Sequence, residues 1–196
     1  MSRRTSIVWL IVVAALTFAV VPLESQEAPQ RWRGRIIALG GGPVSGQTAY
    51  LTLQADQWTP DATIEQLATT LVEEGQRALL KEVAALPPAG WITIGNGLRY
   101  NMRTMRSQEL PDGTRVIRSV TDRPIQFGEL ARSTRSRDYA FGLVELYLTE
   151  DGTGQGRLVP AAQIELEHGQ VEITSFGTMP FIINKVAPQK IKTKGK

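Results

Sequence analysis

The stretch Tyr139-Ala140-Phe141-Gly142-Leu143-Val144-Glu145-Leu146-Tyr147-Leu148 decides how the chain is read. Such a short apolar run, rich in aromatic and branched side chains and bounded by polar segments, is a strand rather than a helix. Alternation puts Tyr139, Phe141, Leu143, Glu145 and Tyr147 on one face. If that face is covered, the charge of Glu145 requires a partner, and an arginine of the preceding loop is the expected one. A second apolar strand, Arg115 to Thr121, precedes it. The connection carries Asp122, Arg123, Glu129, Arg132, Arg135, Arg137 and Asp138, the densest mixture of opposite charges in the chain.

Working outward, Leu98 to Gln108 is expected to pair with Thr114 to Thr121 through Pro111-Asp112-Gly113, a strong hairpin signal. On the other side, Glu150 to Gly156 turns into Arg157 to Glu167. His168-Gly169 reverses to Gln170 to Ser175, and Gly177 to Pro180 turns into Phe181 to Val186. Six consecutive antiparallel strands result.

Upstream, Trp32 to Leu39 and the alternating run Thr48 to Ala55 are two further strands, and Trp91 to Ile94 is a short one. Between Ala55 and Trp91 the period changes. Thr59 suits a helix cap, Pro60 the first helical position and Asp61 the positive end of the dipole. Ile64, Leu67, Ala68, Leu71 and Val72 form an apolar stripe that Leu79, Leu80, Val83 and Leu86 continue past Gly75. This predicts one helix bent at Gly75 or two meeting there, ended by Pro87 and Pro88. The fold class is therefore α+β with a β majority: an antiparallel meander able to curl toward a barrel, with a bent helix or helix pair packed on it.

At the start of the chain, Arg3 and Arg4 precede an apolar run from Ile7 to Val21, the layout of an export signal, with cleavage expected after Ser25. The run is short for a membrane-spanning helix, which takes about 20 apolar residues, so no stable anchor is expected after cleavage. Residues 26–187 are expected to form one domain, and 188–196 a basic flexible tail, since five of the six lysines fall between Lys185 and Lys196. The formal charge is +3, only slightly basic.

These features exclude several chemistries. Without cysteine there is no disulfide, thiolate metal site or cysteine nucleophile. The single histidine, His168, lies in a turn, which argues against a histidine-based triad or metal centre. The glycine-rich segment Gly40 to Thr48 approximates a phosphate loop, but Gln47 stands at the lysine position and a strand follows instead of a helix. The helical segment sets Arg77 and Lys81 against Glu65, Glu73, Glu74 and Glu82, the wrong sign for nucleic acid. No cofactor and no metal are expected.

The basic hairpin with Arg99, Arg103, Arg106, Arg115 and Arg118, together with Tyr100, has two readings: arginine stems covering a sheet, or a surface for acidic glycans or envelope material. The candidate site residues are Tyr100, Asp122, Arg123, Arg132, Arg135, Arg137, Asp138 and Glu145, as ligand-binding groups or structural ion pairs. Carboxylate catalysis by Asp122, Asp138 or Glu145 is the alternative. Asp122-Arg123-Pro124-Ile125 and Ser136-Arg137-Asp138-Tyr139-Ala140-Phe141, with the Pro-Asp-Gly hairpin and Trp58-Thr59, resemble segments of a family of exported bacterial proteins with no assigned activity. The resemblance implies export and a single domain, and no chemistry. The expectation is thus an extracytoplasmic module that binds a protein, glycan or small ligand, with a hydrolase or lyase and a structural envelope component as alternatives.

Overall fold

The computed structural model describes residues 28–37, 48–125, 139–167, 170–175 and 181–191. The chain begins with an antiparallel pair, β1 (Gln30–Ile37) and β2 (Thr48–Ala55). Two helices follow, α1 (Asp61–Glu74) and α2 (Gln76–Ala85). Gly75 divides them at φ +81°, a conformation that costs glycine little, so the segment forms two helices rather than one bent helix, with Leu67, Thr70 and Leu71 of α1 buried and Ala68 and Val72 of the expected stripe exposed. Then come β3 (Gly90–Ile94), β4 (Tyr100–Met102), β5 (Thr104–Glu109), β6 (Arg115–Val120), β7 (Phe141–Leu148), β8 (Gly154–Glu167), β9 (Gln170–Ser175) and β10 (Phe181–Pro188).

All pairings are antiparallel, and the strand order is β4-β3-β2-β1-β10-β8-β7-β6-β5, with β9 paired only to β8. The two ends of this order, β4 and β5, are consecutive in the chain and separated only by Arg103. They amount to one bent strand whose first half pairs with β3 and whose second half pairs with β6. At the bend, Ala89 N donates to Met102 O at 2.8 Å and Arg103 N to Val120 O at 2.7 Å. The meander thus curls into a nearly closed barrel with the helix pair packed on its outside, as its alternating strands suggest.

The interior is filled. Trp32 and Ile36 of β1, Leu51 and Leu53 of β2, Ile92 of β3, Met102 and Met105 at the bend, Leu146 and Leu148 of β7, Leu158 of β8 and Ile183 of β10 form one buried cluster. Gly34 is needed between them, because a Cβ there would lie 2.5 Å from the Ile183 side chain. Small barrels commonly fill their lumen with alternate side chains in this way. A second cluster lies outside: Leu67 and Leu71 of α1 and Leu79 and Val83 of α2 cover Phe141, Val159, Ala162 and Ile164.

Thr59 departs from its expected role. Pro60 occupies the N-cap position with no side-chain cap, while Thr59 turns to β5. Its amide donates to Met105 O at 2.8 Å and its hydroxyl accepts from Met105 N at 2.9 Å. Those backbone groups lie where β3 no longer accompanies the bent strand, and two buried hydrogen bonds there outweigh one local cap. The signal segment and the glycine-rich loop at 40–47 fall outside the described residues, as do His168 and the last five residues. Pro188 pairs with Trp32, and Gln189 N donates to Arg31 O at 2.7 Å, which continues order past the expected start of the tail.

Candidate functional site

Glu145 lies in the middle of β7 with its side chain on the outer face of the barrel. The register sets it between Arg118 of β6 and Arg157 of β8. Arg118 Nε donates to Oε1 and Arg157 Nε to Oε2, both at 2.6 Å, and the Tyr147 hydroxyl donates to Oε2 at 2.6 Å. Burial pushes the carboxyl up, but the hydrogen bonds from Tyr147 and Arg118 and the charges of Arg157 and Arg118 outweigh it and hold Glu145 below its ordinary value. Burial and the bond to Glu145 raise the Tyr147 phenol. An acid held ionised by two arginines is a poor proton donor and, with both oxygens engaged, a poor nucleophile. Among the described residues its partners are strand arginines, because cross-strand register places them directly opposite.

Asp122 follows β6 and accepts from Arg103 Nη2 at 2.9 Å, while Arg103 Nη1 reaches Leu86 O at the end of α2 at 2.8 Å. Arg103 Nε is buried without a hydrogen-bond partner among the described residues. Arg123 lies 5.0 Å from the ring centroid of Tyr100, whose side chain is buried at the barrel end. The structure therefore brings Asp122, Arg123 and Tyr100 to one neighbourhood and gives Glu145 partners of its own. Arg132, Arg135, Arg137 and Asp138 lie outside the described residues.

The hairpin arginines divide: Arg103 and Arg115 are half-buried, while Arg106 and Arg118 stay exposed. Arg106 pairs with Asp61 of α1 at 3.2 Å. Arg115 donates to Ser107 at 2.7 Å and to Gln30 at 3.1 Å, with its guanidinium 5.2 Å from the ring centroid of Trp58. Trp58 in turn packs on Trp32, centroids 6.5 Å apart, and so closes this mouth of the barrel.

Beside that mouth runs an open groove of about 850 Å³. One wall is the segment from Gln57 to Thr63 that leads into α1, another is Leu86 and Pro87 after α2, and the third is Arg103, Arg106, Ser107, Glu109 and Arg115 of the hairpin. Sequence reasoning named these residues only as a helix start and as sheet covers. The signal that could have located the groove was the change of period at Trp58 together with the arginines gathered on both hairpin strands. The groove offers guanidinium forks, hydroxyls, two carboxylates and an indole, a lining suited to holding a polar ligand. Among the described residues no cluster of three or more histidine, cysteine or acidic side chains could hold a metal ion. No helix of the described residues is long and apolar enough to cross a membrane. Comparison with family models, curated proteins and solved structures returned no match.

Proposed function

We propose that the protein is a non-catalytic binding module acting outside the cytoplasm, with the groove at the barrel mouth as its ligand seat. The observation that carries this reading is the contrast between a lumen packed with side chains and an open groove of about 850 Å³ beside it, within the size range of small-molecule sites. A barrel filled by Trp32, Leu53 and Met102 leaves its interior no room to carry a ligand, so recognition belongs on the surface.

The balance of Arg106 and Arg115 against Asp61 and Glu109 suits a small polar molecule, or the end of a chain, that bears an acidic group as well as hydroxyls. The non-catalytic reading is supported by Glu145 and Asp122, each engaged by arginine. The export layout of residues 1–25 and the resemblance to exported proteins support the address.

Crystals of the protein soaked with a set of neutral sugars, sugar acids and short acidic peptides test the site. Fragments bound against Arg106 and Trp58 are expected. Fragments that bind only elsewhere while the groove stays vacant would overturn the assignment.

A further inference from the structure

A second surface, sharing no residue with the groove, carries a different chemistry. Arg31, Arg33 and Arg35 occupy alternate positions of β1, between Trp32, Gly34 and Ile36, which pack into the lumen. The period of two sends all three guanidiniums to the outer face, in a row about 13 Å long at a rise of about 3.3 Å per residue. Arg99, just before β4, approaches the same face from the far side of β3.

Aromatic rings hold these side chains in place. Trp91 of β3 has Arg31 at 5.3 Å and Arg99 at 4.1 Å from its ring centroid, and Tyr50 of β2 has Arg33 at 4.1 Å. Arg31 also donates to Gln54 at 2.7 Å, and Arg35 reaches Thr48 at 3.4 Å. None of the four forms an ion pair among the described residues, whereas Arg103, Arg106, Arg118 and Arg157 all do. The strand residues opposite them on β2, Thr52, Gln54 and Tyr50, carry no charge. Like charges gathered in a row repel one another, and no carboxylate among the described residues pairs with them, so a partner from outside gains from neutralising them.

We infer that this outer face of β1, β2 and β3 binds an acidic polysaccharide through Arg31, Arg33, Arg35 and Arg99. A guanidinium seated over a ring, as in Arg33 and Arg99, keeps N–H donors that match the carboxylate or sulfate of successive sugar units, while Arg31, whose Nε and Nη2 both donate to Gln54, adds mainly charge. Stacking also removes rotamer freedom before binding. Single-stranded nucleic acid fits less well, because it needs aromatic faces for its bases and guanidiniums already lie over Trp91 and Tyr50. Duplex recognition needs a helix or ribbon that enters a groove, and this face is a convex sheet. A straight row of cations suits a linear chain better than a fluid lipid plane.

The test is titration of the full chain with polygalacturonate and with heparin, alongside oligothymidylate and phosphatidylglycerol vesicles. Binding to the two polysaccharides is expected, weakening as salt rises. The triple variant Arg33→Ala, Arg35→Ala, Arg99→Ala should weaken it about tenfold or more, while Arg77→Ala with Lys81→Ala on α2 leaves it unchanged. The charge-conserving variant Arg33→Lys, Arg35→Lys, Arg99→Lys should bind several-fold more weakly than the parent, since an ammonium is not bidentate. Undiminished binding by the alanine variant, equal loss in the α2 variant, or tighter binding to the oligonucleotide or vesicles than to either polysaccharide would overturn the inference.

Discussion

Arg103 donates to Asp122 at 2.9 Å across the bend where the two ends of the sheet meet. The same guanidinium holds Leu86 O at 2.8 Å, so one side chain ties the barrel seam to the end of the helix pair. Arg103→Ala removes both bonds and leaves a half-buried carboxylate without its cation, a cost of about 2–3 kcal/mol. Asp122→Asn keeps a hydrogen-bond acceptor and should cost about 1 kcal/mol. Urea denaturation of the two variants checks the order; an Arg103→Ala midpoint equal to the parent's would mean that the seam does not depend on this pair.

Glu145 predicts a specific pH dependence. Its folded-state carboxyl is held below its ordinary value of 4.5 by Tyr147, Arg118 and Arg157 against the opposing effect of burial. The folded protein therefore binds this proton more weakly than the unfolded chain. The contribution is complete above 4.5 and is lost as pH falls through the lower folded-state value. Glu145→Gln should cost about 1–2 kcal/mol at neutral pH, discounted for the half-exposed arginines, and progressively less in acid. Unfolding curves at pH 7 and pH 3 measure this; an equal gap at both would contradict the account.

Tyr147 behaves in the opposite sense. Its phenol is raised above 10.0 by burial and by the bond to Glu145, so the folded state retains that proton longer. Its contribution is complete below 10.0 and is lost as pH rises through the higher folded-state value. Ultraviolet titration, with Tyr147→Phe identifying the signal, should show Tyr147 ionising above 10.0, and Glu145→Gln should lower it.

Lys185 adopts φ 52° in β10, where the register with both β1 and β8 shifts. A side chain in this left-handed region costs roughly 1–2 kcal/mol, and glycine avoids most of that while losing some backbone entropy. Lys185→Gly should stabilise the fold by about 0.5–1 kcal/mol, raising the thermal midpoint by a few degrees. A lower midpoint would show that the lysine stem contributes packing that outweighs the strain.

The sequence discloses these features unequally. Thr48 to Ala55 is read with its observed limits, because an unbroken alternation belongs to one half-buried strand. The helix pair is equally plain from its stripe and from Gly75. The bend at Arg103 is hidden, since nothing local marks it in the run from Leu98 to Gln108. It arises from pairings with β3 and with β6, each remote in the chain. The partners of Glu145 are hidden for the same reason: register decides which arginine stands opposite, and a slip of one residue would replace both. Arg31, Arg33 and Arg35 stood in plain view at period two, but a search for buried strands attends to Trp32 and Ile36 and passes over the residues between.

The central claim is that the groove at the barrel mouth binds and does not react. Amide spectra of the protein labelled with nitrogen-15, recorded while galacturonic acid and its methyl glycoside, each too short to span the row of Arg31, Arg33 and Arg35, are titrated, test it most directly. The account predicts shifts concentrated in residues 57–63, 86–87 and 103–115, with the glycoside recovered intact. Shifts centred on Glu145 and Arg157, or cleaved glycoside in solution, would contradict it.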